Sequence, residues 1–356
     1  MKNKYIVLIA SIAVAAGAAF VFRAPLSMAV AAQSIEKRLA SDPTTEFPDG
    51  LHVGLCGSGS PFPDEKRAEP CTLIVAGKRL FVFDSGSGSA RNIGRMGFSH
   101  GKIEAIFLTH YHSDHIDGLG ELMLQRWVSA PNGAPVPVYG PAGVDSVVAG
   151  FMQAYKLDQG YRVAHHGDAT VPASGFGGIA RPFVPGADGR VVLLKDADLE
   201  IAAFTVDHTP VHPAVGYSIR YKGRSVVLSG DTRKSAAVQR EAAGVDVLVH
   251  EALSAPMIRI MQEGAANVGR PNLKKIFGDI VDYHASPEQA AETARDARVG
   301  YLLLNHIVPP LPVPGMEKAF LGGAPDIYTG TIRVGNDGDF ISLPVGSKDI
   351  RVTRRF

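Results

Sequence analysis

Short apolar runs bounded by glycine, proline or aspartate recur along most of the chain and read as strands. "LHVGLCGSGSPFP" predicts a strand entering a Gly/Pro-rich loop, and "CTLIVAGKRLFVFDSG" predicts two strands joined by a turn at Gly77-Lys78. "KIEAIFLTH" and "VPVYGP" continue the series. After a gap come "VVLLKD", "LEIAAFTVDH", "AVGYSIRYKGRSVVLSGDT" with a turn at Lys222-Gly223, "VDVLVHEA", "VGYLLLNH" and "DFISLP". Between strands the period changes to that of a helix. "HIDGLGELMLQRWV" has apolar residues at 116, 119, 122, 123 and 127, and similar stretches lie near 89–96 and in "GVDSVVAGFMQAY". "SPEQAAETARDA" opens with Ser286 as N-cap and Pro287 in the first turn. Residues 160–190 read as a glycine-rich loop or lid. Strands in both halves with helices between them predict an α/β fold of two packed sheets covered by helices.

Several of the strands end in metal-binding chemistry. "LTHYHSDHIDG" places His110, His112, Asp114 and His115 directly after an apolar run, too dense for a surface accident. His208 and His306 close two other strands, and Asp231 closes "VVLSGDT". A ligand at a strand end can project into a shared cleft while the strand holds it still. Imidazole and carboxylate donors without thiolate suit zinc and argue against an iron–sulfur or purely cysteine-bound site. His212 competes with His208, but "VDH" at the end of an apolar run fits a ligand better. His52 and His100 read as surface or turn histidines, His250 as a core residue, and His165 and His166 as loop residues.

The first 31 residues stand apart. Lys2 and Lys4 precede an apolar stretch from Tyr5 to Phe22, and Ala29-Val30-Ala31 offers a small-x-small cleavage site. This is the layout of a secretory signal peptide, with an uncleaved membrane anchor as the alternative. The segment predicts a periplasmic or secreted protein, or one anchored in the inner membrane, touching the membrane only through an uncleaved N-terminus. Residues 32–50 then form a polar connector. Removal of residues 1–31, which hold three basic residues and no acid, takes the net charge from +1 to −2. Such a balance argues against a nucleic-acid partner. Cys56 and Cys71 would meet across an antiparallel hairpin, within disulfide reach, or remain as two buried thiols.

"THYHSDHIDG", with "VDH", "SGDT" and "LNH" downstream, resembles the metallo-β-lactamase fold superfamily, and most closely its ribonuclease Z-like branch. The resemblance spans about Leu51 to Pro344, within a hydrolase domain expected over 51–356. It implies a four-layer αβ/βα sandwich with the site at one edge, between the sheets. It also implies two Zn2+, with Mn2+ or Fe2+ as substitutes: His110, His112 and His208 on the first, Asp114, His115 and His306 on the second, and Asp231 bridging. Asp84 matches the aspartate that orients the histidine loop. A bridging hydroxide would attack, Asp114 would orient it, and His284 backed by Glu251 would protonate the leaving group.

The expected function is that of an exported dinuclear-zinc hydrolase acting on a small-molecule ester or phosphodiester. The alternatives are a β-lactam, lactone or arylsulfate hydrolase, a ribonuclease Z-type tRNA 3′-processing endonuclease, and a mononuclear-iron sulfur dioxygenase. No basic RNA-gripping arm is evident in residues 160–190, which hold only Arg162, Arg181 and Arg190 as cations. The oligomeric state is open, and a dimer is plausible.

Overall fold

The computed structural model describes residues 2–356. It divides into two units, one ending at Pro43 and the other running from Thr44 to Phe356. The first unit is dominated by one helix, Lys2–Ala40. Among the described residues no helix is long and apolar enough to cross a membrane.

The second unit holds fifteen strands in two sheets. In chain order the first eight are β1 (Gly50–Gly57), β2 (Cys71–Ala76), β3 (Arg79–Phe83), β4 (Ile103–Phe107), β5 (Val136–Gly140), β6 (Gly178–Pro182), β7 (Arg190–Lys195) and β8 (Leu199–Thr205). Then follow β9 (Val215–Tyr221), β10 (Arg224–Leu228), β11 (Val247–Leu253), β12 (Tyr301–Val308), β13 (Thr331–Val334), β14 (Asp339–Pro344) and β15 (Arg351–Arg354). One sheet has the order β15-β14-β1-β2-β3-β4-β5-β6, and the other β13-β12-β11-β10-β9-β8-β7.

Side-chain alternation explains the layering. Leu51, Val53, Phe81, Phe83 and Phe107 of one sheet meet Ile201, Tyr217, Ile219, Val249 and Leu303 of the other in a central core. The opposite faces are covered separately. Leu73, Val82 and Ile106 pack on the helices Ser89–Arg95, Leu119–Val128 and Val144–Ala154. Val227, Leu248 and Leu302 pack on Ala236–Glu241 and Pro287–Asp296. The result is the four-layer αβ/βα sandwich that the sequence predicts.

Several local expectations are corrected. Residues 160–190 are not one irregular loop: the helix Lys156–His166 and the strand β6 occupy much of the segment. Gly160 obscured that helix, yet it sits on an open face where a glycine costs only propensity. Residues 255–279, given no element from sequence, form two helices, Ala255–Asn267 and Pro271–Asp279. His52 is fully buried, its ring 5.9 Å from that of Phe340 and its Nδ1 2.5 Å from Ser342 Oγ. Cys56 and Cys71 form a disulfide that ties β1 to β2 at the root of the loop 58–69.

Candidate metal centre

β3, β4, β5 and β6 run parallel in one sheet. In the other, β8, β10, β11 and β12 share one direction, since β9 is antiparallel to both β8 and β10. Their C-terminal ends therefore deliver side chains to one edge. His110 and His112 follow β4, and the short helix Ser113–Ile116 carries Asp114 and His115. His208 follows β8, and Asp231 follows β10. His306 needs a further device. Glu251 pairs with Asn305 and Ala252 with Ile307, so His306 is the extra residue of a bulge and takes φ 47°. A bulge re-aims one side chain without ending the strand.

The structure brings all seven sequence-predicted ligands together. His110, His112, His208 and Asp231 form one group, and Asp114, His115 and His306 another, with candidate donor atoms within 4.8 Å of each other in each group. Asp231 Oδ2 lies 3.3 Å from both His115 Nε2 and His306 Nε2, and 3.9 Å from both His110 Nε2 and His208 Nε2. Between other donors the separations are 3.0 Å (His110 Nε2 to His112 Nδ1) and 3.2 Å (His306 Nε2 to Asp114 Oδ2). Around a tetrahedral zinc with bonds near 2.0–2.1 Å, neighbouring donors sit roughly 3.3–3.4 Å apart. The buried nitrogens His115 Nε2 and His208 Nε2 have no hydrogen-bond partner among the described residues. The donor chemistry, the spacing and these two bare nitrogens all fit divalent metal.

Electrostatics prepare several of the donors. Burial first, then the neighbouring His115, holds His110 well below its ordinary pKa, and burial brings His208 down to about 4, so both rings keep a lone pair. Burial opposes ionisation of Asp231, but His306 and His115 outweigh it and hold this carboxyl well below its usual range. Against burial, the surrounding carboxylates raise His115 and His306, so these two rings give up a proton when metal binds, as deprotonated ligands are what a metal requires.

Behind them Asp84 accepts from Thr109 N–H at 2.8 Å and lies 2.9 Å from His115 Nδ1. His115 therefore keeps its proton on Nδ1 and turns Nε2 to the cluster. Tyr217 donates to Leu108 O at 2.5 Å, anchoring the histidine loop to the second sheet. Glu251 Oε1 accepts from Thr232 N–H (3.2 Å) and Ala285 N–H (2.9 Å) and lies 3.2 Å from His284 Nδ1. Asp231, His284 and His306 make a third possible ligand set, overlapping the others. His165 and His166, at the exposed end of their helix, play no part in any of these groups.

The cleft beside this cluster has a volume of about 330 Å³. Its metal side is His112, Asp114, Asp231, His284 and His306; its other wall is Pro61, Phe62, Ile276, Ile280, Tyr283 and Val308. Sequence reasoning missed that second wall. Its signals were present: Pro256 and Pro271 are helix-opening prolines, and the apolar residues Ile258, Met261 and Ala265 keep helical spacing.

The model of the Metallo-beta-lactamase superfamily matches residues 65–301. The chain belongs to that superfamily. Within it, the chain falls in the ribonuclease Z-like branch. It is 39% identical over 289 residues to a ribonuclease Z of Mycolicibacterium gilvum, covering 81% of this chain and 94% of that one. A ribonuclease Z of Mycobacterium avium is 37% identical, with 81% and 96% covered. The crystal structure of the short form of human tRNase Z shares the fold, with TM-score 0.59 and 20% identity over 83% of this chain and 100% of that one.

These relatives correct the expectation of a small-molecule substrate with no nucleic-acid partner, for they are named ribonucleases. The physical error was to read a whole-chain charge as a local one. The helical hairpin 255–279 beside the cleft carries Arg259, Arg270, Lys274 and Lys275 against only Glu263 and Asp279.

Proposed function

We propose that this chain is a ribonuclease Z-type endonuclease, a dinuclear metal-dependent hydrolase that cuts a phosphodiester bond near the 3′ end of a transfer RNA-type substrate. The observation that carries the reading is the double set of donors around Asp231, in a chain 37–39% identical to ribonuclease Z over four-fifths of its length. His110, His112 and His208 would hold one ion, Asp114, His115 and His306 the other, and Asp231 both. Zinc suits these nitrogen and oxygen donors, and Mn2+ or Fe2+ would substitute. Divalent ions held there supply an activated water and polarise the phosphoryl group.

The chain's own residues do the rest. Asp114, buried on the metal side of the cleft, would orient the attacking water. His284 lines the same cleft; burial brings its pKa down to about 4, and it would return a proton to the leaving ribose oxygen as negative charge develops there. Glu251, held by two backbone N–H groups, sets its Oε1 3.2 Å from His284 Nδ1 and would steady that ring. Two donor sets, and a paired His284 and Glu251 outside them, favour this reading over a single-iron dioxygenase.

The test is cleavage of a transfer RNA precursor with a 3′ trailer by zinc-loaded protein. A single cut, abolished by chelator and restored by zinc, is expected. Hydrolysis of nitrocefin or aryl sulfate with RNA left intact would overturn it. The N-terminal segment and the Cys56–Cys71 bridge support a separate proposal of export, under which the RNA substrate would be one met outside the cytoplasm and not a precursor under maturation. N-terminal sequencing from the native host should find a start near Ala32, and soluble cytoplasmic protein beginning at Met1 would remove this part.

A further inference from the structure

The apolar wall of the cleft has no role in the chemistry above, yet it faces the metal ligands across a space of about 330 Å³. It is assembled from two segments distant in sequence. Phe62 comes from the loop 58–69, and Ile276, Ile280 and Tyr283 come from the helical hairpin and the turn that leaves it.

Both segments are fixed. Asp337 accepts from Ser58 N–H (2.9 Å) and Ala68 N–H (2.7 Å), clamping the two ends of the loop, and the Cys56–Cys71 bridge closes its root. Arg67, inside the loop, donates to Gly335 O at 3.0 Å. The hairpin packs through Ile258, Met261, Phe277 and Ile280 on Leu253 and Val308, and Phe62 joins the same cluster with its ring 5.8 Å from that of Phe277. Ile276 nonetheless stays 50% exposed at the rim.

A wall held this firmly, and left apolar directly opposite the polar metal side, is shaped for a ligand with a flat apolar face and a charged group beside it. Resting on the reading of the site as an RNA phosphodiesterase, we propose that this wall is a subsite for the nucleobase adjoining the scissile phosphate. The base stacks on Phe62 and Tyr283 and packs against Ile276, while its phosphate meets the metal side. An unpaired nucleotide is required, because a base inside a duplex has both faces covered. The excess of cations on the hairpin suits the phosphates on either side of it. The hairpin is thus a specificity element for single-stranded RNA ends, separate from the groups that do the chemistry.

The experiment compares adenosine 5′-monophosphate, ribose 5-phosphate and n-hexyl phosphate as ligands of zinc-loaded protein by calorimetric titration. The same preparation is assayed on an RNA with an unpaired 3′ end. The nucleotide should bind about 5- to 150-fold tighter than the sugar phosphate, the range that base–aromatic stacking supplies. Phe62→Ala should erase that preference and raise KM for the RNA more than it lowers kcat. Ile276→Asp, at an exposed position that tolerates the change, should act in the same direction if Phe62→Ala folds poorly. Equal binding of the two phosphates, or tighter binding of hexyl phosphate, would overturn the subsite. If RNA is still cut in that case, the subsite alone fails; if no RNA is cut, the functional reading fails first.

Discussion

Asp84→Asn tests whether the metal centre depends on the tautomer of one imidazole. Asp84 lies 2.9 Å from His115 Nδ1, and its other oxygen takes Thr109 N–H at 2.8 Å. An asparagine can keep its carbonyl on Thr109, but its NH2 then faces His115 Nδ1. The pair can hydrogen-bond only if His115 moves its proton to Nε2, the atom 3.3 Å from Asp231 Oδ2 that should bind metal. Loss of such an orienting carboxylate typically costs 10- to 100-fold in affinity, or about 1.4–2.7 kcal/mol.

The penalty should fall on one site only. His112 and His208 lie outside the hydrogen bonds of Asp84, and His110 is linked to it only through Thr109 Oγ1, 3.1 Å from His110 Nδ1, so one ion should stay tight while the other weakens. The assay is competition with a chromogenic zinc chelator, with metal content measured after dialysis and the fold checked by circular dichroism. Wild-type protein should retain close to two ions and Asp84→Asn close to one. If the variant loses thermal stability but binds both ions as tightly as wild type, Asp84 is only a structural clamp and the argument is wrong.

Three other outcomes follow from the same structure. His284→Ala should keep both ions yet lower kcat on RNA by about 10²–10⁴-fold, with a smaller loss on bis-nitrophenyl phosphate, whose leaving group hardly needs a proton; loss of an ion would instead make His284 a ligand. His52, held by burial at about 4 against an ordinary 6.5, binds its proton more readily unfolded than folded. Its contribution is therefore full above pH 6.5 and lost as pH falls towards 4, by about 3 kcal/mol. Denaturant titrations of wild type and His52→Gln across that window should converge or cross as pH falls, and a constant gap would refute the assignment. Replacing Cys56 and Cys71 together by serine should cost about 3 kcal/mol, the usual scale for a 15-residue loop, and an unchanged unfolding midpoint would show that the bridge contributes nothing.

The sequence made the central sheets and the clustered donors legible for one reason: both depend on apolar runs that stop abruptly. A buried strand must be apolar, and a ligand at its end must be polar, so "IFLTH" and "LLLNH" announce strand and site together. Ser286 was legible as an N-cap, and its reciprocal bond with Gln289 completes a capping box. Edge strands announce nothing. β15, "RVTR", is exposed along its whole length and is placed chiefly by backbone pairing to β14. His52 escaped because a histidine among Phe47 and Phe340 looks, in sequence, like any other histidine. The bulge that swings His306 into the cluster is likewise invisible, since it is a property of the register between β11 and β12.

The same contrast separates the clustering of the donors, which the strands disclose, from the substrate, which was misread. Ligands sit at strand ends, where position follows from the sheet and the sheet follows from local pattern. Substrate contacts sit on connections. Phe62 is placed by Asp337, 275 residues further along the chain, through its bonds to Ser58 and Ala68. Ile276 is placed by the packing of a hairpin on Leu253 and Val308. Neither anchor is local, so although the hairpin's own helices leave a periodic trace, their placement over the cleft does not. Net charge fails for the same reason: it averages over the chain, whereas charges more than roughly 10 Å apart are largely screened and one hairpin can differ in sign from the whole. A fold of this kind discloses its reaction through its strands and its substrate only through the placement of its loops.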